Sequence, residues 1–174
     1  MPADSIRRRT AWRRIAWRRI GWGALLGVTI AVMTIATIDV ALDKAAARRA
    51  EQRVVDLDCL ARNIYYESRG EPLVGQYAVA EVTMNRVRSP EFPNSVCGVV
   101  SHRGAFSWTY NKDTLAEPYG YEWRRAKAVA DSVYDNLESP LVNGALFYHA
   151  THVSPNWAAT RTQVALVGRH LFYL

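Results

Sequence analysis

Residues 56–88, DLDCLARNIYYESRGEPLVGQYAVAEVTMNRVR, decide the fold because they predict two consecutive helices with a tight break between them. The first helix is predicted to begin at Asp56 or Asp58, whose side-chain oxygens can accept from the free N–H groups of a first turn. It is predicted to end at Gly70, since glycine commonly follows a helix C-terminus and Pro72 can only begin a new helix. The second helix is apolar on most sides, which predicts that it lies buried at the centre of the domain.

An acidic residue lies on the apolar face of the first helix. Leu60 and Ile64 recur with helical spacing, and Glu67 follows three residues later on the same line. A carboxyl group there is partly removed from water, which disfavours its ionised form and raises its pKa towards the range of a general acid. The alternative is a structural role, in which Glu67 only forms an ion pair with Arg62 or Arg69.

The wording of this segment resembles that of the SleB/CwlJ family of cell wall hydrolases. The first matching stretches are YESRGEP at 66–72, GQ at 75–76, AVA at 78–80 and NRV at 85–87. The later ones are 93–100, FS at 106–107, FYH at 147–149, PxW at 155–157 and GxHxFY at 168–173. The resemblance implies a peptidoglycan glycosidase with a compact, lysozyme-like α+β domain and a groove, and it implies that Glu67 is the catalytic acid.

Several polar and aromatic residues are candidates for binding the glycan. Carbohydrate grooves present aromatic faces to the C–H faces of sugars and present amides to their hydroxyls. The residues with this chemistry in the matching region are Tyr66, Gln76, Phe106, Ser107, Trp108, Tyr148, His149, Trp157 and His170. Packing in the core is the alternative role for each aromatic residue.

The chain departs from the family pattern just before Trp108. Many relatives carry Cys-Gln-Phe-Ser at this place, whereas here the stretch reads GAFSWTY at 104–110. The missing glutamine removes an expected groove amide, so subsite binding is expected to differ from that of the relatives.

The four histidines raise the alternative of a metal enzyme. His149 and His152 are three residues apart, and His170 could join them from a neighbouring strand to make a zinc site of a peptidoglycan amidase. Against this, the sequence contains no HExxH helix and no Cys/His cluster with metal-ligand spacing. We therefore expect neither metal nor cofactor. A non-catalytic wall-binding module is the other alternative.

The basic charge of the chain is concentrated at its N-terminus. The formal net charge is +6, with +7 in residues 1–53 and −1 in residues 54–174. Because the predicted catalytic region is nearly neutral, the basic composition does not indicate a nucleic-acid surface. Peptidoglycan and the inner membrane, through residues 20–38, are the expected partners, and the sequence does not identify protein partners.

An uncharged segment follows the N-terminal arginines. Residues 20–38, IGWGALLGVTIAVMTIATI, come directly after seven arginines, and their helical length nearly matches the ~30 Å hydrocarbon core of a bilayer. The arginines orient such a segment with its N-terminus in the cytoplasm. This predicts a single-pass inner-membrane protein with a periplasmic catalytic domain. A cleaved signal peptide is the alternative and would give a periplasmic protein, whereas a buried core helix is disfavoured by the arginines.

The predicted organisation has four parts. Residues 1–19 form a cytoplasmic basic tail, 20–38 the anchor or signal, 39–55 a juxtamembrane spacer rich in alanine and charge, and 56–174 the cell wall hydrolase domain. The domain is predicted to be α+β and mainly helical. Its second half is predicted to supply a third long helix at 121–137 and a small antiparallel sheet from strands at 146–149 and 163–167.

Two cysteines, Cys59 and Cys97, match positions at which exported relatives commonly carry cysteine. Export would place both in an oxidising compartment, where a disulfide between them is expected. The alternative is a pair of buried free thiols.

Glu67 has no evident carboxylate partner in the sequence. A retaining glycosidase needs a second carboxylate as nucleophile and an inverting one needs it as base. A mechanism with a single acid, in which the sugar's own C6 hydroxyl attacks C1, is therefore expected, and its product is a 1,6-anhydro-MurNAc end.

Overall fold

A computed structural model of the chain describes the backbone of residues 4–111, 116–135 and 140–174, and the side chains of these ranges from residue 27 onward. The chain divides into two compact units, Met1–Ala50 and Glu51–Leu174. The predicted basic tail at 1–19, and residues 20–26 of the predicted membrane segment, lie outside the described side chains.

Helix α1, Asp4–Ser68, has a different start from the one predicted. The prediction that a helix begins at Asp56 or Asp58 is wrong, because residues 39–55 consist largely of good helix formers and contain neither glycine nor proline. Neither aspartate acts as a cap. Asp56 is buried and accepts from the hydroxyl of Tyr134, and Asp58 accepts from Arg62 one turn later.

The structure describes side chains from residue 27 onward. In that part of the chain, no helix has an apolar stretch long enough to cross a bilayer.

The break between the first two helices lies where the sequence places it. Helix α1 ends two residues before Gly70, and the N–H of Glu71 donates to the carbonyl of Ser68 at 2.9 Å to close the turn. Pro72 then begins helix α2, Leu73–Arg88. Most residues of α2 are buried, which confirms the prediction of a central buried helix.

Two further helices pack around α2. Helix α3, Val96–Ser101, is capped at its N-terminus by Ser95, whose hydroxyl accepts a hydrogen bond from the N–H of Gly98. Helix α4, Gly120–Asp135, buries one face that includes Trp123 and Val129. Residues 136–137 at the end of the predicted third helix lie outside the described residues. The core between α1, α2, α3 and α4 is built largely from small aliphatic side chains, among them Leu60, Ile64 and Val99.

Cys59 and Cys97 form a disulfide that joins α1 to α3. Their Cα atoms are 5.2 Å apart. Because Cys59 precedes Glu67 by two helical turns, the bond ties the helix that carries the predicted acid to α3.

The sheet has three antiparallel strands: β1, Phe147–Ala150, β2, Gln163–Val167, and β3, His170–Tyr173. The order β1-β3-β2 corrects the prediction of two neighbouring strands, because β3 lies between the two that were predicted. Strands β2 and β3 are joined by the two residues Gly168 and Arg169, and Gly168 has a φ of +58°. Glycine adopts that conformation without steric cost, which permits the tight turn.

The two faces of the sheet have different surroundings, because successive residues of a strand point to opposite faces. The rings of Tyr148, His170 and Phe172 contact one another on the face that packs against α2. His149 and Tyr173 stack on the other face. The fold is therefore mainly helical with a small antiparallel sheet, as predicted.

Candidate active site

Glu67 lies in the last turn of α1, where helix and sheet meet. Its Oε2 accepts a hydrogen bond of 3.0 Å from the hydroxyl of Tyr148 on β1, a residue 81 positions later in the chain. Both side chains are half-buried. The structure does not support the alternative, in which Glu67 forms an ion pair with Arg62 or Arg69, since Arg62 pairs with Asp58 and Arg69 lies over the ring of Tyr65.

The surroundings of Glu67 favour its protonated form. Burial raises the pKa of Glu67, and the hydrogen bond from Tyr148 and the positive charge of Arg86 only partly oppose this rise. Burial and the nearby Glu67 carboxylate raise the pKa of Tyr148 well above its usual value. Tyr148 therefore remains a neutral hydrogen-bond donor while Glu67 gains and loses a proton. A raised pKa, as Glu67 has, is the property that a general acid needs.

Arg86 is a buried cation beside this pair. Its Nε donates to the carbonyl of Leu146 at 2.7 Å, just before β1. Its guanidinium lies 5.1–6.0 Å from the ring centres of Phe92, Phe106 and Phe147. Burial lowers the pKa of Arg86, but a guanidinium stays charged in proteins. The motif match at 85–87 contains this residue, yet its role near Glu67 depends on contacts that the sequence does not reveal.

Replacement of Tyr148 by phenylalanine is expected to move the alkaline limb of activity to higher pH. The lost hydrogen bond stabilises ionised Glu67, so its removal raises the pKa of Glu67 and keeps the acid protonated to higher pH. Initial rates from pH 4 to 9 measure the shift. Tyr134→Phe removes a phenol that donates to Asp56 and should leave the limb in place. A limb that stays fixed or moves to lower pH in Tyr148→Phe would contradict this assignment.

Glu71, the second glutamate of the motif, fastens the helical break to the β2–β3 turn. Its carboxylate is buried and accepts from the backbone N–H of Arg169 at 3.0 Å and from its Nε at 2.7 Å. A Cβ on Gly168 would lie 2.5 Å from Glu71 Oε2, so only glycine fits there. Burial raises the pKa of Glu71, but the hydrogen bonds from Arg169 outweigh it and leave the pKa below its usual value.

Glu71→Gln is expected to reduce the free energy of unfolding by about 1–3 kcal/mol at neutral pH, because a buried acceptor is lost. The folded-state pKa is lowered, so this contribution is present above the unfolded value and disappears as pH falls. Urea unfolding at several pH values should show the difference shrinking below about pH 4. Glu91→Gln, at an exposed position, is the matched control. A constant difference at all pH values would contradict the ionised role of Glu71.

Tyr66, the residue before the acid on α1, forms an aromatic pair with Trp108. The rings of Tyr66 and Trp108 stack with centres 4.7 Å apart, and Trp108 Nε1 donates to the side chain of Asn63 at 3.1 Å. Asn63 was not identified from the sequence. Its position four residues before Glu67 on the same helical face was the available signal.

Two of the other sequence candidates are buried, and a third is exposed. Gln76 is buried and donates to the backbone carbonyl of Glu71, and Phe106 is buried in the core. The prediction that these two contact the glycan is at odds with their burial. Gln76 instead supports the helical break, because the buried amide finds its acceptor there. Ser107 is exposed beside Trp108.

The remaining candidates separate onto the two faces of the sheet. His170 lies with Tyr148 on the face that packs against α2, and its Nδ1 is 4.0 Å from Glu71 Oε2. His149 lies on the other face, where it contacts Trp157 and its Nε2 is 2.9 Å from the hydroxyl of Tyr173. The structure thus brings Tyr148 to Glu67 and Trp108 to Tyr66, the residue before Glu67, and it places His149 and Trp157 in a second aromatic cluster.

The proposed histidine set for zinc is divided by the sheet. His149 and His170 point to opposite faces, so their ring nitrogens do not converge on one ion. Within ranges 27–111, 116–135 and 140–174, no group of three or more His, Cys, Asp or Glu side chains is arranged to hold a metal.

Comparison with known proteins identifies the domain. Residues 70–173 match a family model described as cell wall hydrolase. Spore cortex-lytic enzymes of Bacillus cereus and Bacillus subtilis are 36% and 35% identical over 117 residues, which are 67% of this chain. The match covers 43% and 37% of those relatives, so the chain spans less than half of their length.

Solved structures agree with this relationship. The catalytic domain of the Bacillus cereus SleB protein is 33% identical with a TM-score of 0.60, and the alignment covers 68% of this chain and 89% of that domain. The catalytic domain of a germination-specific lytic transglycosylase, SleB of Bacillus anthracis, has the same identity and TM-score, with 93% of it covered. The helical break closed by Glu71, the small sheet and these matches together show that the chain belongs to the cell wall hydrolase family.

Proposed function

We propose that this protein cleaves the glycan strand of peptidoglycan between MurNAc and GlcNAc, with Glu67 as the acid. The observation that carries this proposal is the half-buried carboxyl group of Glu67, whose pKa is raised by burial and which accepts a hydrogen bond from Tyr148. The relatives named spore cortex-lytic enzymes and the neighbour described as a lytic transglycosylase support the same substrate class. The family match begins just after Glu67, so the role of this residue rests on its geometry and on the motif around it.

A mechanism with one acid is the economical choice for this site. Three acidic residues are buried among the described residues, and each accepts hydrogen bonds from groups other than Glu67. Asp56 accepts from Tyr134, Glu71 from Arg169, and Glu81 from the backbone N–H groups of residues 141 and 142. Their hydrogen bonds are structural, which supports a reaction without a second catalytic carboxylate.

The reaction begins with proton transfer to the leaving group. Protonated Glu67 donates its proton to the glycosidic oxygen as the bond from C1 of MurNAc breaks, and C1 takes on oxocarbenium character. The C6 hydroxyl of the same sugar then attacks C1, since it is held at high effective concentration on the same ring. Ionised Glu67 accepts the hydroxyl proton and returns to its starting state. The products are a 1,6-anhydro-MurNAc end and a free GlcNAc end.

Arg86 and Tyr148 assist the reaction by stabilising the ionised form of Glu67. When the acid has given up its proton, the carboxylate keeps the hydrogen bond from Tyr148 and the favourable field of Arg86. Both interactions act on the ionised form and limit the cost of generating a charge in a half-buried site. The acid is thereby able to cycle between its two states.

Mass spectrometry of the muropeptides released from purified sacculi by the purified chain tests this function. Fragments ending in 1,6-anhydro-MurNAc are expected, with no requirement for added metal. Fragments with reducing MurNAc ends would show that the enzyme hydrolyses the bond and does not form the anhydro product. Free stem peptides with intact glycan would indicate an amidase, and the absence of any release would favour a wall-binding module.

We also propose that residues 20–38 anchor the protein in the inner membrane, with the catalytic domain in the periplasm. The arginine-rich flank and the uncharged stretch support this orientation. A periplasm-dependent reporter fused after residue 174 should be active. A fusion active only in the cytoplasm would overturn the proposed topology, and a shortened mature N-terminus would indicate a cleaved signal.

A further inference from the structure

A buried amide connects the core of the domain to the aromatic pair beside Glu67. Asn63 is 0% exposed. Its Nδ2 donates to Thr83 Oγ1 at 3.0 Å, and its Oδ1 accepts from Trp108 Nε1 at 3.1 Å. Thr83 is also 0% exposed, and its hydroxyl donates to the carbonyl of Val79 one turn earlier in α2. The chain of hydrogen bonds therefore runs from the backbone of the central helix to the indole ring.

Such a connection fixes the orientation of the indole. A buried amide without partners is costly, so Asn63 favours the one arrangement in which both its groups are bonded. Trp108 lies on the short 3₁₀ helix Ser107–Tyr110, outside the regular elements of the core. Its ring plane is 24° from that of Tyr66. The stacking contact and the hydrogen bond together hold this ring from two sides.

Asn63 is a helix-surface neighbour of both Tyr66 and Glu67. It precedes Tyr66 by three residues and Glu67 by four on α1, which are the spacings at which helical side chains lie next to each other. Tyr66 and Trp108 are half-buried, and part of each remains accessible. The aromatic pair is therefore a fixed, partly accessible surface that begins one residue before the acid on α1, with Asn63 next to both.

We propose that Tyr66 and Trp108 form a stacking subsite for one N-acetylhexosamine of the glycan strand, and that Asn63 is the positioning residue that fixes its orientation. This inference rests on the proposed function and names how the substrate is held. The electron-rich faces of aromatic rings attract the weakly positive C–H groups of a sugar face. A fixed ring places the neighbouring glycosidic oxygen at a constant distance from Glu67, which is the condition for efficient proton transfer.

The chain offers a matched pair of variants to test this role. Asn63→Leu removes both hydrogen bonds of the amide, whereas Thr83→Val removes only the bond between Asn63 and Thr83 and leaves the one to Trp108. Each is made in the full chain carrying Glu67→Gln, so that substrate binding is measured without cleavage. The probe is peptide-free glycan strands prepared by amidase treatment of sacculi, titrated by calorimetry and by tryptophan fluorescence. Thermal unfolding of each variant checks its fold.

Asn63→Leu should weaken glycan binding about tenfold, which corresponds to about 1.4 kcal/mol, while Thr83→Val should change it less than about twofold, because only the former frees the indole. Trp108→Phe, which keeps a ring but cannot donate to Asn63, should resemble Asn63→Leu. In chains that retain Glu67, the loss should fall mainly on KM. Equal effects of Asn63→Leu and Thr83→Val would show that Asn63 has only a structural role. Unchanged binding in Trp108→Phe would contradict the proposed subsite.

Failure of this inference is separable from failure of the proposed function. If the parent chain cleaves glycan and Glu67→Gln does not, the reaction stands whatever the binding data show for Asn63 and Trp108. If Glu67→Gln alone retains full cleavage, the proposed acid is wrong, and the KM values of Asn63→Leu and Trp108→Phe in chains that retain Glu67 still report on the stacking subsite.

Discussion

Replacement of Glu67 by glutamine is expected to reduce glycan cleavage by about 10²–10⁴-fold, the range that general acid–base catalysis contributes. Glutamine has nearly the same shape and can still accept the hydrogen bond that Tyr148 donates, so the local geometry should persist. It cannot transfer a proton to the glycosidic oxygen or receive one from the C6 hydroxyl. The measurement is the initial rate of soluble muropeptide release from sacculi.

A control separates loss of chemistry from loss of structure. Glu91→Gln removes one negative charge at an exposed position and should cleave at the parent rate. The Glu67→Gln chain should unfold at a temperature no lower than the parent, because the glutamine removes a partly desolvated carboxyl group. Near-parent cleavage by Glu67→Gln would show that another group supplies the proton.

Removal of the Cys59–Cys97 disulfide is expected to give the largest change in stability, about 3–4 kcal/mol in the free energy of unfolding by the chain-entropy relation. The two cysteines are 38 positions apart, and the bond restricts the unfolded chain over that whole loop. The loop contains Glu67, the helical break and all of α2, so the unfolded ensemble loses many conformations. Urea unfolding of the parent and of Cys59→Ala/Cys97→Ala measures the difference.

Reductant supplies the internal control for this experiment. Under reducing conditions the parent should lose most of its advantage, whereas the double variant should be unaffected. Alkylation of the unreduced, denatured parent at both cysteines would show that the bond is absent from the protein. Equal stability of the parent with and without reductant would show that the bond contributes little.

Local features of the sequence were sufficient for several parts of the structure. The apolar repeat around Ile64 placed Glu67 against the core, and Pro72 marked the start of the central helix. The first helix was given the wrong start because aspartates suggested a cap where alanine-rich sequence simply continues the helix. His170 was expected on a neighbouring strand, but β3 was given no bounds, because its four residues follow β2 after only Gly168 and Arg169.

The sequence by itself determined the mainly helical domain, the acid on the buried face of α1 and the family motif, because each depends on spacing within one or two turns of a helix. Tertiary structure alone decided the partners of that acid. Tyr148 reaches Glu67 from a strand 81 residues away, and Asn63 reaches Trp108 across 45 residues. It also placed His149 and His170 on opposite faces of the sheet and buried Gln76. Such contacts depend on how the helices and strands pack. The periodicity of a single element does not predict which distant side chain will contact it.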